Sequence, residues 1–268
     1  MLCGGKLVPV VFAVIYSVPH LRVEGVLRRE NGFRAIFFDL DGTLRHNVPS
    51  AHDTFFNFAI DLGVNDSIEG RRRAFRWAHY YWAQSKELMA DVKVHGQLSD
   101  EFWTNYALRY LNAFGHPSEE AARISVDLHQ LMVEKYEPQD VIAPETPETL
   151  RSLTEAGYQL GLITNRHAPV DDYLRDIQLF DFFEMTLTAG EVGIWKPEKG
   201  IFQQALYKLD ITPAEAVYIG DNYYADVVGA QAVGMLPILL DPNGYFGDVD
   251  CQIIRSLGDI QEAIIQRN

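Results

Sequence analysis

Short apolar runs without alternation recur along this chain, and they restrict the fold more than any other feature. Residues Ala35–Phe38, reading AIFF, are apolar at every position. A strand covered on one face alternates apolar and polar side chains, whereas a strand covered on both faces reads as a continuous apolar run. The same kind of run returns at 158–164, Ala216–Gly220 and Leu236–Leu240, with shorter ones at 183–187 and 251–254. Between them, residues 147–156, 169–177, 198–209 and 224–233 carry apolar residues at helical spacing, and 257–266 reads as a closing helix. Strands alternating with helices predict an α/β fold built on a doubly wound, Rossmann-like parallel sheet. Ligands of such sheets bind outside the carboxyl ends of the strands.

One region breaks the alternation. Residues 47–143 contain four segments of helical character, at 50–62, 67–88, 99–113 and 117–135, separated by Gly63, Gly96 and His116-Pro117. The region is far longer than a strand-to-helix connection, so it is read as an inserted all-helical domain. The core then comprises 33–46 and 144–268, with the insertion rooted directly after the first strand. Residues 1–32 are read as an extension with little structure, with export or anchoring through their apolar run as the other reading. Lys6 precedes an apolar run at 7–18 that is shorter than the ~20 residues a spanning helix needs. Pro9 interrupts it, and Ser17-Val18-Pro19-His20 is a poor cleavage site.

The net charge of −14 over 268 residues argues against nucleic acid or an anionic membrane as partner. An anionic ligand would need a locally positive site. Two cysteines, Cys3 and Cys251, have no metal-type spacing and indicate no disulfide framework, which suggests a reducing, cytoplasmic setting.

The residues able to carry chemistry stand at predicted strand ends. The first strand runs into Asp39-Leu40-Asp41-Gly42-Thr43, the second into Thr164-Asn165, and a later one into Gly220-Asp221-Asn222 with Asp226 following. Lys196-Pro197 precedes the helix at 198–209. Singly, Thr164-Asn165 reads equally as a helix cap, Lys196 as a solvated loop residue and Gly220-Asp221 as a plain turn. The aspartate pair is different, because two acids at the end of a buried strand need a compensating partner.

In order and position these residues resemble the four motifs of the haloacid-dehalogenase-like (HAD) hydrolase superfamily: Asp39, Asp41, Gly42 and Thr43; Thr164 with Asn165; Lys196; then Asp221 and Asp226. The placement of the insertion resembles the members with a helical cap. The resemblance implies a Mg²⁺-dependent phosphatase acting on a small phosphorylated metabolite. Asp39 is then the nucleophile that becomes an aspartyl phosphate, and Asp41 the general acid and base. Asp41 is expected to have a raised pKa through burial and neighbouring acids. The resemblance further implies Mg²⁺ held by the carboxylates of Asp39 and Asp221 and the backbone carbonyl of Asp41, with Asp226 in support. Gly42, Thr164, Asn165 and Lys196 would bind the phosphoryl group. Members that cleave carbon–halogen bonds lack an aspartate at the Asp41 position, so its presence favours phosphoryl transfer.

A phosphomutase using the same intermediate is the nearest alternative. A phosphoaspartate signalling domain or a catalytically silent binding protein lies further off. In the cap, Trp77, Tyr80, Tyr81 and Trp82 have the spacing of core residues, with pocket lining as the other reading. Arg71, Arg72, Arg73 and Arg76 read as a solvated face or as contacts to an anionic substrate, and Arg45 and His46 stand at the hinge. The oligomeric state is not expressed in the sequence.

Overall fold

The computed structural model describes residues 32–265 apart from 97 and 117. The reading of residues 1–31, Cys3 included, therefore lies outside the described residues, as do Pro117 and Gln266. In chain order the elements are β1 (Ala35–Phe38), β2 (Arg45–Val48), α1 (Ala51–Asp61), α2 (Ile68–Trp82), α3 (Lys86–His95), α4 (Asp100–Phe114), α5 (Ser118–Lys135) and β3 (Gln139–Ile142). Next come α6 (Thr146–Glu155), β4 (Gln159–Thr164), α7 (Asp171–Asp176), β5 (Met185–Thr188), α8 (Ala189–Val192), α9 (Lys199–Lys208) and β6 (Ala216–Gly220). A π-helical turn at Tyr223–Val227 leads into α10 (Val228–Val233), followed by β7 (Leu236–Leu240), β8 (Gln252–Ile254) and α11 (Ile260–Ile265).

Among the described residues, one parallel sheet of six strands has the order β5-β4-β1-β6-β7-β8. The unbroken apolar runs are explained by the two layers that cover it. Ile36 and Phe38 of β1 pack on one side with Leu150 and Leu153 of α6, Leu174 of α7 and Ile260 of α11. Ala35 and Phe37 face the other side, against Ile201, Phe202 and Ala205 of α9. β1 is wholly buried at the centre. At about 25 cal/mol per Å² of apolar surface, each such side chain contributes roughly 1.5–3 kcal/mol. Phe38 pairs in register with Leu162 of β4 and Ile219 of β6, so the residues that follow these three strands emerge together at one edge.

The insertion stands over that edge. Within the described residues its helices number five rather than the four expected, because the segment 67–88 is cut in two. Gln84 takes a left-handed conformation (φ 57°) and Ser85 starts α3 by accepting a hydrogen bond from the Leu88 amide. Ser50, Ser67 and Ser99 cap α1, α2 and α4 in the same way, each contributing about 1 kcal/mol. The reading as all-helical also omits a short antiparallel ribbon, β2 with β3, that joins cap to core. Phe56, Ala74, Tyr110 and Ile124 lie among the residues of the cap's own core. Among the described residues no helix is long and apolar enough to cross a membrane.

Candidate active site

β1 delivers Asp39 at its carboxyl end, 6% exposed, with its amide still bonded to the Ile219 carbonyl (2.9 Å). The Lys196 ammonium meets Asp39 Oδ1 and Asp226 Oδ1 at 2.6 Å each, and the Tyr218 hydroxyl at 2.9 Å. Lys196 is no solvated loop residue: it is 2% exposed. Burial alone would lower its pKa, but Asp226 and Asp39 outweigh that and hold the ammonium well above its ordinary value. Its loop is clamped by Asn165, whose side-chain oxygen accepts from the Lys196 amide (2.8 Å) and whose side-chain nitrogen donates to the Lys196 carbonyl (3.0 Å). Both ends of the Asn165 side-chain amide are therefore occupied in placing Lys196.

Asp221 and Asp226 follow β6. Asp226 accepts from Lys196, from Tyr218 (3.3 Å) and, through Oδ2, from the Asn222 amide (2.9 Å). Carboxylate oxygens of Asp39, Asp221 and Asp226 lie within 4.8 Å of one another. Burial pushes the Asp39 carboxyl up to about 7, against the pull of Lys196 and with Asp226 adding to the rise. Burial, then Asp39 and Asp226, push Asp221 well above the usual carboxylate range. Three acids thus share one ammonium in a buried space, and a divalent cation would relieve the surplus negative charge. The all-oxygen donor set is the kind that Mg²⁺ takes, so these residues fit that ion.

Gly42 closes the cluster by having no side chain. A Cβ there would fall 2.3 Å from Asp221 Oδ2, and φ is +90°. Its amide donates to the Arg45 carbonyl (2.8 Å). Thr43 donates to Asp221 (3.3 Å), and Thr164 is buried at the end of β4.

Asp41 departs most from expectation. Its side chain is 38% exposed instead of buried, and it lies outside the acidic cluster. Arg166 holds it through two parallel bonds, Nε to Oδ2 at 2.8 Å and Nη2 to Oδ1 at 2.7 Å, and Arg45 Nη1 approaches at 3.1 Å. Sequence reasoning passed over Arg166 and Tyr218. The first directly follows Thr164-Asn165, and the second is a phenol inside an otherwise apolar strand, which needs a buried partner.

These groups line a cavity of about 220 Å³ with Trp82 of the cap above it. Cap and core meet along α2. Asn222 Nδ2 donates to the His79 carbonyl (3.1 Å), while Arg72 and Arg76 both reach Asp248 of the core (3.0 and 2.7 Å). Arg71 pairs with Asp66, and Arg73 donates to the Phe114 carbonyl. The four arginines therefore tie surfaces together rather than face the site. Tyr81 is fully buried, Trp77 packs beside it, and Tyr80 meets Tyr224 edge-on, leaving Trp82 as the member of the aromatic set that reaches the site.

Residues 33–234 match the family model for haloacid dehalogenase-like hydrolases. The chain belongs to that family. It is 28% identical over 211 residues to the ribulose-1,5-bisphosphate 5-phosphatase of Halopiger xanaduensis, covering 78% of this chain and 85% of that one. The glyceraldehyde 3-phosphate phosphatase of Pyrococcus furiosus is 27% identical over 244 residues, covering 88% and 94%. Among solved structures, the 2-haloacid dehalogenase of Pseudomonas syringae pv. Tomato superposes with a TM-score of 0.51 at 26% identity, covering 88% of this chain and all of that one. The family resemblance expressed in the motifs is thereby established, and the structural likeness extends over core and cap.

Proposed function

We propose that this chain is a Mg²⁺-dependent phosphatase that hydrolyses a small phosphorylated metabolite through an aspartyl-phosphate intermediate. The observation that carries the reading is the cluster of Asp39, Asp226 and half-buried Asp221, with Lys196 bonded to the first two and Asp41 two residues beyond Asp39. Similarity to two enzymes named as phosphatases supports it. A dehalogenase is also among the similar structures. Asp41 favours the phosphatase, since expelling a halide requires no proton and expelling an alcohol does.

Asp39 Oδ attacks phosphorus, the ester P–O bond breaks, and the departing oxygen takes a proton from the Asp41 carboxyl. Asp41, now a carboxylate, removes a proton from water whose oxygen attacks the phosphoryl group; the bond to Asp39 breaks and inorganic phosphate leaves. Lys196 and Thr164 stabilise the phosphoryl oxygens. Asp39 and Asp221 would hold Mg²⁺, with Asp226 fixing Lys196 and the Asn222 loop; the bound ion supplies charge neutralisation for the phosphoryl group. Before substrate arrives Arg166 and Arg45 hold Asp41 as an ion pair. A phosphate dianion entering beside Asp39 competes for those guanidiniums, and the released carboxylate, now beside the dianion, takes up a proton from solvent that it later gives to the departing oxygen.

Phosphate release from a panel of phosphomonoesters, measured with Mg²⁺ and with EDTA, tests the reading. Activity is expected only with the metal, and Asp39→Asn is expected to abolish it. Full activity in that variant, or transfer of the phosphoryl group to a second sugar hydroxyl instead of water, would refute it.

A further inference from the structure

Behind Trp82, Asp221 and Asn222, which border the catalytic cavity, lies a second and larger cavity of about 620 Å³ inside the cap. That volume is in the range of a ligand pocket. Its wall includes Phe55, Phe75, Trp103, Tyr106 and Tyr110, and no lysine or arginine lines it. A second phosphate or a carboxylate would find no lysine or arginine there, and His129 in the wall is already engaged by Asp100 (3.2 Å), while a small sugar would leave most of the space unfilled.

The histidines His52 and His79 in the wall do not make it polar. Their orphaned nitrogens, His52 Nε2 and His79 Nδ1, are closed off from the cavity as they are from solvent. On its other nitrogen, Nδ1, His52 is bonded to the Tyr110 hydroxyl (2.7 Å), and His79 is wedged between Phe75 and Phe246. Burial pushes both imidazoles below their ordinary pKa, to about 3 and about 4, so they add no charge to the wall.

We infer that the alcohol part of the substrate is a bulky, uncharged, ring-containing group, held between the cap aromatics. The inference rests on the phosphatase reading and gives it a substrate class. Flat rings suit this wall because aromatic faces and edges pack against one another with added attraction. The phosphate would stay at Asp39 while the ring system extends past Trp82 into the cap.

The test compares 2-(2-naphthyl)ethyl phosphate with ethyl phosphate. The two alcohols are nearly equal as leaving groups, so the ratio of kcat/KM reads the cavity. A preference of about 100-fold or more for the naphthyl ester is expected from the apolar area it buries. Met132→Lys, which puts a charge in the wall, is expected to lower kcat/KM for the naphthyl ester at least tenfold more than for ethyl phosphate. Ala51→Trp, which narrows the cavity from its exposed end, replaces it if Met132→Lys does not fold. Equal rates for both esters, or a preference for glyceraldehyde 3-phosphate, would overturn the inference and leave the phosphatase reading intact. If no phosphomonoester is hydrolysed, the phosphatase reading fails, and calorimetric titration with 2-(2-naphthyl)ethanol then judges the cavity: binding supports its ring-holding role, and absence of binding overturns it.

Discussion

Replacing His79 by Phe should make the protein more resistant to acid. His79 sits where α2 meets the core, its ring 4.1 Å from that of Phe75 and 5.5 Å from that of Phe246. Burial lowers its pKa from 6.5 to about 4, with Asp241 opposing the shift. Between pH 4 and 6.5 the unfolded chain therefore holds the proton that the folded chain rejects. Stability then rises with pH across that window and is lost as pH falls through it. At pH 5 the unfolded imidazole is mostly protonated and the folded one mostly neutral, a difference of about 2 kcal/mol; the limit below pH 4 is about 3 kcal/mol. A Phe ring keeps the packing and cannot titrate. Urea unfolding at pH 7.5 and pH 5.0, followed by tryptophan fluorescence, measures the effect, because Trp77, Trp82 and Trp103 are all in the cap. The wild type should lose about 2 kcal/mol more than His79→Phe between the two pH values. An identical loss in both proteins would show that the imidazole is already charged or hydrated in the folded state, and the account of the interface would fail.

Arg166→Gln removes the two parallel bonds from Arg166 to Asp41 and leaves only the Arg45 contact, and a fall of about 100-fold in kcat/KM is expected from misplacing the general acid. Because the two residues act as a unit, adding Asp41→Asn to that variant should cost much less than Asp41→Asn alone; full additivity in a double-mutant cycle would refute the coupling. Gly42→Ala drives a methyl group into Asp221 at a positive φ, so a destabilisation of roughly 1–3 kcal/mol in thermal unfolding and weaker Mg²⁺ binding in calorimetry should appear together. Lys196→Met leaves the acids unpaired and should lower stability in EDTA by roughly 3–5 kcal/mol. Unfolding at the wild-type denaturant concentration would contradict it.

The core was legible because its signals are local. Ala35–Phe38, Ala216–Gly220 and Leu236–Leu240 match the expected strands residue for residue, since only a doubly covered strand needs an unbroken apolar run. Placing those strands in one parallel sheet then brings Asp39, Thr164 and Asp221 to one edge without further information. Side-chain pairing is another matter. Asn165 and Arg166 are adjacent in sequence, yet one turns to the Lys196 backbone and the other to Asp41, a division set by loops that local patterns do not encode. The ribbon of β2 and β3 escaped because RHNV and QDVI are mostly polar and partly exposed, with no alternation to mark them. The break in the segment 67–88 was marked only by Ser85, which helical periodicity masks.

The cap cavity exposes a more general limit of periodicity. Apolar residues at helical spacing state that a face leaves water, and say nothing about whether it meets another helix or an empty volume. Tyr81, Trp77 and Trp82 stand on neighbouring positions of one helix and looked alike in sequence. Tyr81 fills the cap interior, whereas Trp82 borders both cavities. The distinction arises from where α4 and α5 lie relative to α2, a tertiary relation that involves residues tens of positions away. Catalytic chemistry depends on charges that must be present at strand ends and therefore leaves a motif. Substrate choice depends on the shape left between helices, and the space bounded by Phe55, Phe75, Trp103 and Tyr110 comes into view only once those helices are placed.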